Sequence, residues 1–286
     1  MPYIRTDLAA ESAEVCDGAY VREYEREGFN IHEAVIESDK DTLRYGRYIT
    51  VTVGQLWFCE KSVLEGAERL IAELIRELAG AFVDVKTASV LTVCLGNRRI
   101  TSDAVGPLAA EKLIATRHLK GENMKVFEAL GGRESAVMSP GVTGETGVET
   151  FEAIFSAVEV IKPDLVICID ALAARSSERL MTTVQLTDVG IAPGSGVGNH
   201  RREISLSTLG VPVVSVGVPT VVESATLVYD ALEKAGISDG GGRLSKVFEN
   251  QRSFFVTPKN ADVAVAAQAT LIARAINTAL LGIAEL

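Results

Sequence analysis

The chain has 286 residues, 47% of them hydrophobic and 23% charged, which is an ordinary globular composition and excludes a disordered polypeptide. Its formal net charge of -10 disfavours non-specific binding to DNA or to anionic lipid, because both need clustered Lys and Arg. We therefore expect no direct nucleic-acid partner and no membrane association. The length fits one large α/β domain or two small ones.

The four cysteines do not indicate a disulfide framework or a zinc site. Cys94 and Cys168 lie in apolar, strand-like runs, where cysteine behaves as a small hydrophobic residue, and Cys16 and Cys59 form no C-x-x-C spacing. This usage fits a reducing compartment. The N-terminus has no apolar signal segment, and no uninterrupted apolar run approaches the roughly 18 residues of a membrane span. We expect a soluble, cytoplasmic protein.

The first third of the chain predicts two strands and one long helix. Residues 1–9 show no periodicity that predicts a stable element, whereas residues 32–37 and 47–53 are candidate strands. Apolar residues recur at three- and four-residue intervals from residue 60 to residue 82, which predicts an amphipathic helix that ends near Gly80.

Beyond the long helix, strands and helices alternate, as in a parallel sheet built from βαβ units. Residues 89–95 predict a buried strand, and Pro107 is placed to open the helix that follows. A weaker strand is predicted at residues 124–129, and a helix at residues 149–161. Residues 165–169 form a continuously apolar, β-branched run, which predicts a central strand buried on both faces.

The last third continues the same alternation. Strands are predicted at residues 182–186 and 211–218, a helix opening at Pro219, and a terminal helix at residues 261–281. The fold class that follows is α/β, with a central, mainly parallel but mixed sheet flanked by helices, of phosphorylase/hydrolase-like type. We expect residues 8–286 to form a single domain.

Two acidic residues follow core strands: Asp103 lies in the loop after the first, and Asp170 comes directly after the central one. Ligand crevices in open α/β sheets lie beyond the carboxyl ends of the strands, so the two carboxyls can meet there. Carboxyls that share a site have pKa values pushed apart, and one then holds a proton while the other activates water for amide hydrolysis. The pattern supports equally well a turn role for Asp103 and a helix-capping role for Asp170.

Two glycine-rich loops could bring backbone N–H groups close to a substrate or to a developing oxyanion. The candidate substrate-binding glycines are Gly141, Gly144 and Gly147 in PGVTGETG, and Gly194, Gly196 and Gly198 in PGSGVGN. Neither loop contains G-x-G-x-x-G directly after a strand, or G-K-S/T, so a nucleotide site is not indicated. Tight turns are an equally good interpretation of both loops.

A metal site is the alternative chemistry. His200 lies in the loop before the strand at residues 211–218, where it could join Asp103 and Asp170 as a third ligand of a divalent ion. An exposed loop histidine is more often simply solvated. The serines form no G-x-S-x-G nucleophile elbow, because Ser195 lies in G-S-G.

Eight segments, in order along most of the chain, resemble the germination proteases of spore-forming bacteria. They are IRTDLA (residues 4–9), LGN with SDAVGP (95–107), TRHL (116–119), SPGVTGETGVET (139–150), PDLVICIDALAAR (163–175), PGSGVGN (193–199), LGVPVVSVGVPTVV (209–222) and VTPK (256–259). Several are long, so chance similarity is improbable.

The resemblance implies an endopeptidase that degrades small acid-soluble spore proteins during germination. It implies a zymogen cleaved between Asp7 and Leu8, with residues 1–7 as the pro-segment, and an aspartic-type mechanism that uses Asp103 and Asp170 without a metal cofactor. It also implies a homo-oligomer, a tetramer in the family, located in the cytoplasm of the forespore and spore core.

Two departures from the family pattern are visible. Residues 235–255 form a shorter region than is typical, and His200 stands where family members carry lysine. The chain is also similar to hydrogenase-maturation endopeptidases, which bind metal through two acids and a histidine. A metallopeptidase that uses Asp103, Asp170 and His200 therefore stays open, as does a non-catalytic relative that only binds spore proteins.

Overall fold

The fold is built on a mixed sheet of nine strands, flanked by helices, in a computed structural model that describes residues 6–13, 19–37, 44–194, 201–237, 244, 247–248 and 254–284. Within these residues the strands are β1 Ala19–Arg26, β2 Phe29–Ile36, β3 Gly46–Thr52, β4 Val90–Cys94, β5 Ser135–Met138, β6 Leu165–Ala174, β7 Thr183–Thr187, β8 Val213–Glu223 and β9 Phe255–Val256. The expected α/β class with a mixed sheet is confirmed.

The spatial order of the strands is β1-β2-β3-β7-β8-β6-β4-β5, with β9 paired to β8. Strands β5, β4, β6 and β8 are parallel neighbours and form the βαβ part of the sheet. Strands β1, β2, β3 and β7 extend the other side of the sheet through antiparallel pairs. The parallel part therefore lies on one side of β8 and the antiparallel part on the other.

The helices of the described residues range from single turns to two long helices. They are α1 Ala9–Ala13, α2 Lys61–Ala79, α3 Val105–Ala110, α4 Leu119–Glu122, α5 Met124–Ala129, α6 Thr143–Thr146, α7 Thr150–Ile161, α8 Leu206–Leu209, α9 Ser224–Lys234 and α10 Ala261–Leu281. The predicted terminal helix has the same bounds as α10, and the predicted amphipathic helix is confirmed as α2.

The two faces of the sheet pack against different elements, because side chains alternate along each strand. On β6, Leu165, Ile167 and Ile169 enter the main core with the long helices α2 and α10. Val166 and Cys168 face the other way and pack with α7. By the same alternation, Asp170 projects on the face opposite the long helices.

Helix α10 meets the length and apolarity of a membrane span, and it is the one described helix that does. Of its most apolar window, 67% is buried inside the protein. Packing against α2 and the sheet accounts for this composition, as in the core helix of a globular fold.

The strand predicted at residues 124–129 is wrong, since this segment is helix α5. Asn123 precedes the helix, and its side-chain oxygen accepts a hydrogen bond from Val126 N at 3.3 Å. The helix buries Phe127 and is followed by a Gly131-Gly132 turn. The edge strand lies further on, at β5, where only four residues pair with β4.

The predicted helix start at Pro219 is also wrong. Strand β8 continues through Pro219 to Glu223, and α9 begins at Ser224. Pro219 pairs with Leu172, next to a register shift in the β6–β8 ladder, and such an irregularity tolerates a residue without an N–H. Pro107 similarly lies inside α3, which begins two residues earlier at Val105.

Candidate active site

Asp170 lies within β6, and the strand runs on to Ala174, so the alternative that it caps a helical turn is wrong. Its side chain is buried, with 6% of its surface exposed, and Oδ1 accepts a hydrogen bond from Ala171 N at 2.9 Å. Burial raises the pKa of Asp170 well above the usual range, and the charges of Asp103 and, more weakly, Asp7 raise it further. Asp170 is therefore held as a neutral acid over a wide pH range.

Asp103 ends a short 3-10 turn, Thr101–Asp103, that follows β4. The turn folds back on the loop, because Asn97 N donates to Asp103 Oδ2 at 2.9 Å. Gly96 makes this possible with a φ of +110°, since a Cβ there would lie 2.1 Å from the Asp103 carbonyl oxygen. Burial raises the pKa of Asp103 to about 6, opposed by the Asn97 N–H and the positive charge of Arg201.

The fold thus brings the two carboxyls close enough for the charge of Asp103 to raise the pKa of Asp170. The more strongly raised pKa belongs to Asp170, so the pair loses its first proton from Asp103. Above a pH of about 6 the pair therefore consists of one carboxylate, Asp103, and one carboxylic acid, Asp170. This is the protonation state in which one group can accept a proton from water while the other donates one.

Asp170 shares a row of the sheet with Gln185. Gly217 on β8 pairs with Asp170 on one side and with Gln185 of β7 on the other. Residues paired across a sheet project on the same face, and two strand spacings place their backbones about 10 Å apart. The absence of a side chain at Gly217 makes room for Leu172, whose Cδ1 lies 2.4 Å from where a Cβ of residue 217 would be.

The N-terminal segment lies on this face of the sheet. Asp7 N donates to Ala173 O at 2.9 Å, and Asp7 Oδ2 accepts from Ala173 N at 2.9 Å. Gln185 bridges Asp7 and Ala9, because its Nε2 donates to Asp7 O at 3.1 Å and its Oε1 accepts from Ala9 N at 2.6 Å. The residues around the Asp7–Leu8 peptide are therefore held by hydrogen bonds to β6 and to β7, the two strands on either side of β8.

The Leu8 side chain fills an apolar pocket and is fully buried. The pocket is formed by Leu172, Ala174, Leu180 and Val222. Complete burial of a leucine side chain contributes about 1.5–3 kcal/mol, which is enough to dock a short segment when polar contacts add to it. Residues 6–8 form no regular element, in line with the sequence expectation, but tertiary contacts dock them on the sheet, and α1 begins at Ala9.

Glu11 secures the segment on the other side. Its buried carboxylate accepts hydrogen bonds from Arg175 N at 2.7 Å and Ser176 N at 2.9 Å, and Arg179 Nε lies 3.5 Å away. Thr6 Oγ1 also donates to this carboxylate. A buried carboxylate with this many donors is well satisfied, so Glu11 fixes the position of residues 6–11.

The glycines of the first loop take up the conformations of a turn around α6. Gly141 and Gly147 both have a φ of +72°, and Gly147 ends α6 in the left-handed region, while Gly144 lies within the helix. In the second loop Gly194 has a φ of +74°. Gly196, Gly198 and His200 lie outside the described residues. A substrate-binding role for the glycines stays a prediction.

Arg201 connects the first loop with the surroundings of Asp103. Its Nη1 donates to Thr143 Oγ1 at 2.7 Å and to Glu149 Oε1 at 3.1 Å, and its charge acts on the Asp103 carboxyl. The loop that carries Gly141 to Gly147 is thereby positioned near one of the two acids.

Asp103 and Asp170 offer oxygen donors of the kind that hard divalent ions bind. Among the described residues, no group of three His, Cys, Asp or Glu side chains is placed to hold a metal ion. His200 is outside this part of the chain, so the three-ligand alternative stays a prediction.

Gln185, Glu11 and the pairing of Asp7 with Ala173 are features that sequence reasoning missed. Polar and apolar residues alternate at residues 183–187, which puts Gln185 on the polar face of the predicted strand, but the structure buries this face too. The partners of Gln185 lie 176 and 178 residues away along the chain, and a strand pattern does not indicate them. Cys94 and Cys168 are buried in the core, as predicted.

The comparison with known proteins identifies a class of peptidase. A family model described as germination protease matches residues 4–235. The germination protease of Clostridium perfringens strain 13 is 37% identical over 314 aligned positions, covering 97% of this chain and 95% of that protein. That of Caldanaerobacter subterraneus subsp. tengcongensis is 38% identical, covering 97% and 94%. The chain belongs to the germination protease family.

Two further similarities are more partial. The germination protease of Bacillus cereus strain ATCC 10987 is 39% identical over 243 positions, which cover 80% of this chain and 66% of that protein. A solved structure of the NiFe hydrogenase maturation protease HycI from Thermococcus kodakarensis covers 71% of this chain and 98% of its own, at 16% identity and a TM-score of 0.38. A likeness of this degree is too distant to assign a function.

Proposed function

We propose that this germination protease is an endopeptidase that degrades small acid-soluble spore proteins, with Asp103 and Asp170 activating the attacking water. The observation that carries the proposal is the pair formed by the buried Asp170 and the half-buried Asp103, whose charge raises the pKa of Asp170. Acids whose pKa values are raised by burial and by a neighbouring carboxylate are costly to the fold and are typical of functional sites. Membership of a protease family supplies the reaction class.

In the proposed mechanism the two acids have different roles. Asp103, with a pKa of about 6, is the carboxylate that accepts a proton from water. Asp170 keeps its proton, because burial and the Asp103 charge raise its pKa well above the usual range, and it donates a hydrogen bond to the substrate carbonyl. Proton transfer to the leaving nitrogen then completes peptide-bond hydrolysis.

The substrate backbone would lie along the glycine-rich loops. Gly141, Gly144 and Gly147 are near Asp103 through Arg201, and the second loop carries Gly194, Gly196 and Gly198. Backbone N–H groups of such loops can bind an extended peptide irrespective of its side chains. Membership of the germination protease family supports small acid-soluble spore proteins as the substrate class.

We also propose zymogen control through residues 1–7, with cleavage between Asp7 and Leu8. In support, the docked N-terminal segment brings Asp7 so close to Asp170 that its charge raises the pKa of that acid. A segment held there competes with any substrate for the same face of the sheet. A homo-oligomer, of four subunits by family resemblance, and a location in the spore core complete the proposal.

Incubating the chain that begins at Leu8 with a small acid-soluble spore protein tests the endopeptidase activity. We expect fragments from the wild type and intact substrate with Asp103→Asn. Fragments from both the wild type and Asp103→Asn would contradict the role of the acids. Intact substrate with both proteins would favour a non-catalytic binding protein.

A chelator distinguishes the proposed metal-free mechanism from the metallopeptidase alternative. The carboxyl pair needs no ion, so cleavage should be unchanged by the chelator and by His200→Lys. Loss of cleavage that returns on adding a divalent metal would support Asp103, Asp170 and His200 as ligands.

A further inference from the structure

We propose that Gln185 is a catalytic residue of N-terminal processing. Its side-chain amide donates a hydrogen bond to the carbonyl oxygen of Asp7, which becomes negatively charged when water attacks the Asp7–Leu8 bond. This inference rests on the proposed function, because it concerns the bond that the pro-segment loses.

The orientation of the Gln185 amide is fixed by two backbone groups of the segment. Oε1 accepts from Ala9 N at 2.6 Å, and Nε2 donates to Asp7 O at 3.1 Å. The reverse orientation would place the NH2 group against the Ala9 N–H and the amide oxygen against the Asp7 carbonyl, and both contacts would be repulsive. A donor therefore points at the oxygen of the bond to be cleaved.

The surroundings keep this donor in place and shield it from water. Gln185 is 6% exposed on β7. Fixed donors that are shielded from water stabilise a developing charge far better than donors in water, because they need no reorganisation during the reaction. The row through Gly217 puts Gln185 on the same face of the sheet as Asp170.

The segment is held on both sides of the same peptide. Asp7 is bound to Ala173 before the bond, and the Leu8 pocket and the Glu11 carboxylate hold the residues after it. Holding a reacting group in one geometry lowers the activation barrier, because part of its entropic cost is already met in the docked state. The docked segment thus has the arrangement of a bound substrate.

The step balances as a hydrolysis. The water oxygen bonds to the Asp7 carbonyl carbon while Asp103 takes its proton, and the carbonyl oxygen becomes an oxyanion that accepts from Gln185 Nε2. The carbon–nitrogen bond to Leu8 then breaks, and the nitrogen receives a proton from the acid pair. The products are a carboxylate at Asp7 and an amine at Leu8.

The experiment measures the single-turnover rate at which the full chain produces the Leu8 N-terminus, in wild type, Gln185→Met and Gln185→Glu. Met is similar in size and lacks the donor, so we expect a rate lower by about 10²–10³-fold, the effect of deleting one oxyanion donor. Glu keeps the acceptor for Ala9 and regains a donor proton at low pH. The ratio of the Gln185→Glu rate to the Gln185→Met rate should therefore rise as the pH falls.

Thr50→Val is the matched control, because Thr50 is a buried polar residue that pairs with Gln185 from β3. It should process at nearly the wild-type rate. Amide exchange of residues 7–9 in an Asp103→Asn background reports whether the segment is still docked in each variant.

Three results would overturn the proposal. Wild-type processing rates in both Gln185 variants would contradict the role of Gln185 but not the role of Asp103 and Asp170. If amide exchange shows that the N-terminal segment is no longer docked in either variant, Gln185 holds the segment in place and does not act in catalysis. A wild-type chain that never produces the Leu8 terminus would contradict processing at this bond as well.

Discussion

Asp170 and Gln185 pair with the same glycine, Gly217, from opposite sides of β8. The parallel part of the sheet supplies the acid and the antiparallel part supplies the amide. The docked N-terminal segment interacts with both residues, because the charge of Asp7 raises the pKa of Asp170 and Gln185 forms hydrogen bonds with Asp7 and Ala9. The junction between the two halves of the sheet is therefore where we place the chemistry.

Proteolysis should lose rate below a pH of about 6, the raised pKa of Asp103. Protonation of Asp103 removes the base, whereas Asp170 stays protonated on both sides of this pH. The pH dependence of spore-protein cleavage at limiting substrate by the chain that begins at Leu8 measures this. A cleavage rate that stays unchanged between about pH 5 and about pH 7 would contradict the assignment of Asp103 as the base.

Asp170→Asn should stabilise the fold at neutral pH. Because the folded-state pKa of Asp170 is raised, the folded chain binds more protons than the unfolded chain above pH ~4, and wild-type stability falls as the pH rises through this region. The variant lacks this loss of stability, so its free energy of unfolding at pH 7 should exceed that of wild type, and the difference should shrink as the pH falls toward ~4.

Denaturant unfolding at several pH values measures the difference, and Asp164→Asn is the control of opposite sign. Hydrogen bonds from Ser89 lower the pKa of Asp164, so its folded-state charge stabilises the protein above the unfolded pKa and is lost in acid. That variant should be less stable than wild type at pH 7. Equal stabilities of wild type and Asp170→Asn at every pH would contradict the burial of a neutral acid.

Gly96→Ala should displace Asp103 and reduce proteolysis. A Cβ at residue 96 would lie 2.1 Å from the Asp103 carbonyl oxygen, and backbone cannot move aside as a flexible side chain can. Gly28→Ala is a matched control, because Gly28 also has a positive φ but open space around the added Cβ. Both substitutions should cost about 1–3 kcal/mol in backbone strain, but only Gly96→Ala should lower the cleavage rate. Equal rates in the two variants would contradict this.

Leu8→Ala should loosen the N-terminal segment. Removing a fully buried leucine side chain costs about 2–5 kcal/mol, which exceeds what the remaining contacts of so short a segment can offset. Amide exchange of residues 6–11 in the full chain should rise. Leu206→Ala, at a leucine that is 48% exposed, should leave it unchanged. Unaltered protection in Leu8→Ala would show that the pocket does not hold the segment.

Elements with a strong local pattern could be predicted from the sequence. Helix α10 has the bounds that its apolar periodicity indicates, and the central strand was found from its β-branched run. Residues 124–129 and Pro219 were misassigned, because an N-terminal cap at Asn123 and a register shift beside Leu172 decide those segments. Neither appears in the periodicity of the chain.

The candidate site, too, could be predicted from the sequence only in part. Asp103 and Asp170 could be proposed because each follows an apolar strand, and topology brings such positions together. The docking of residues 6–11 depends on contacts with β6 and β7 more than 160 residues away, which no local pattern encodes. Gln185 was missed for this reason.

The most direct test of the acid pair compares single-turnover cleavage by wild type, Asp103→Asn, Asp170→Asn and the double variant, with amide exchange to verify the fold. Residues that act as one unit have non-additive effects. We predict that each single variant loses about 10²–10⁴-fold in rate and that the double variant is no slower than the slower single variant. A wild-type rate in either single variant, or losses that multiply in the double variant, would contradict the joint action of Asp103 and Asp170.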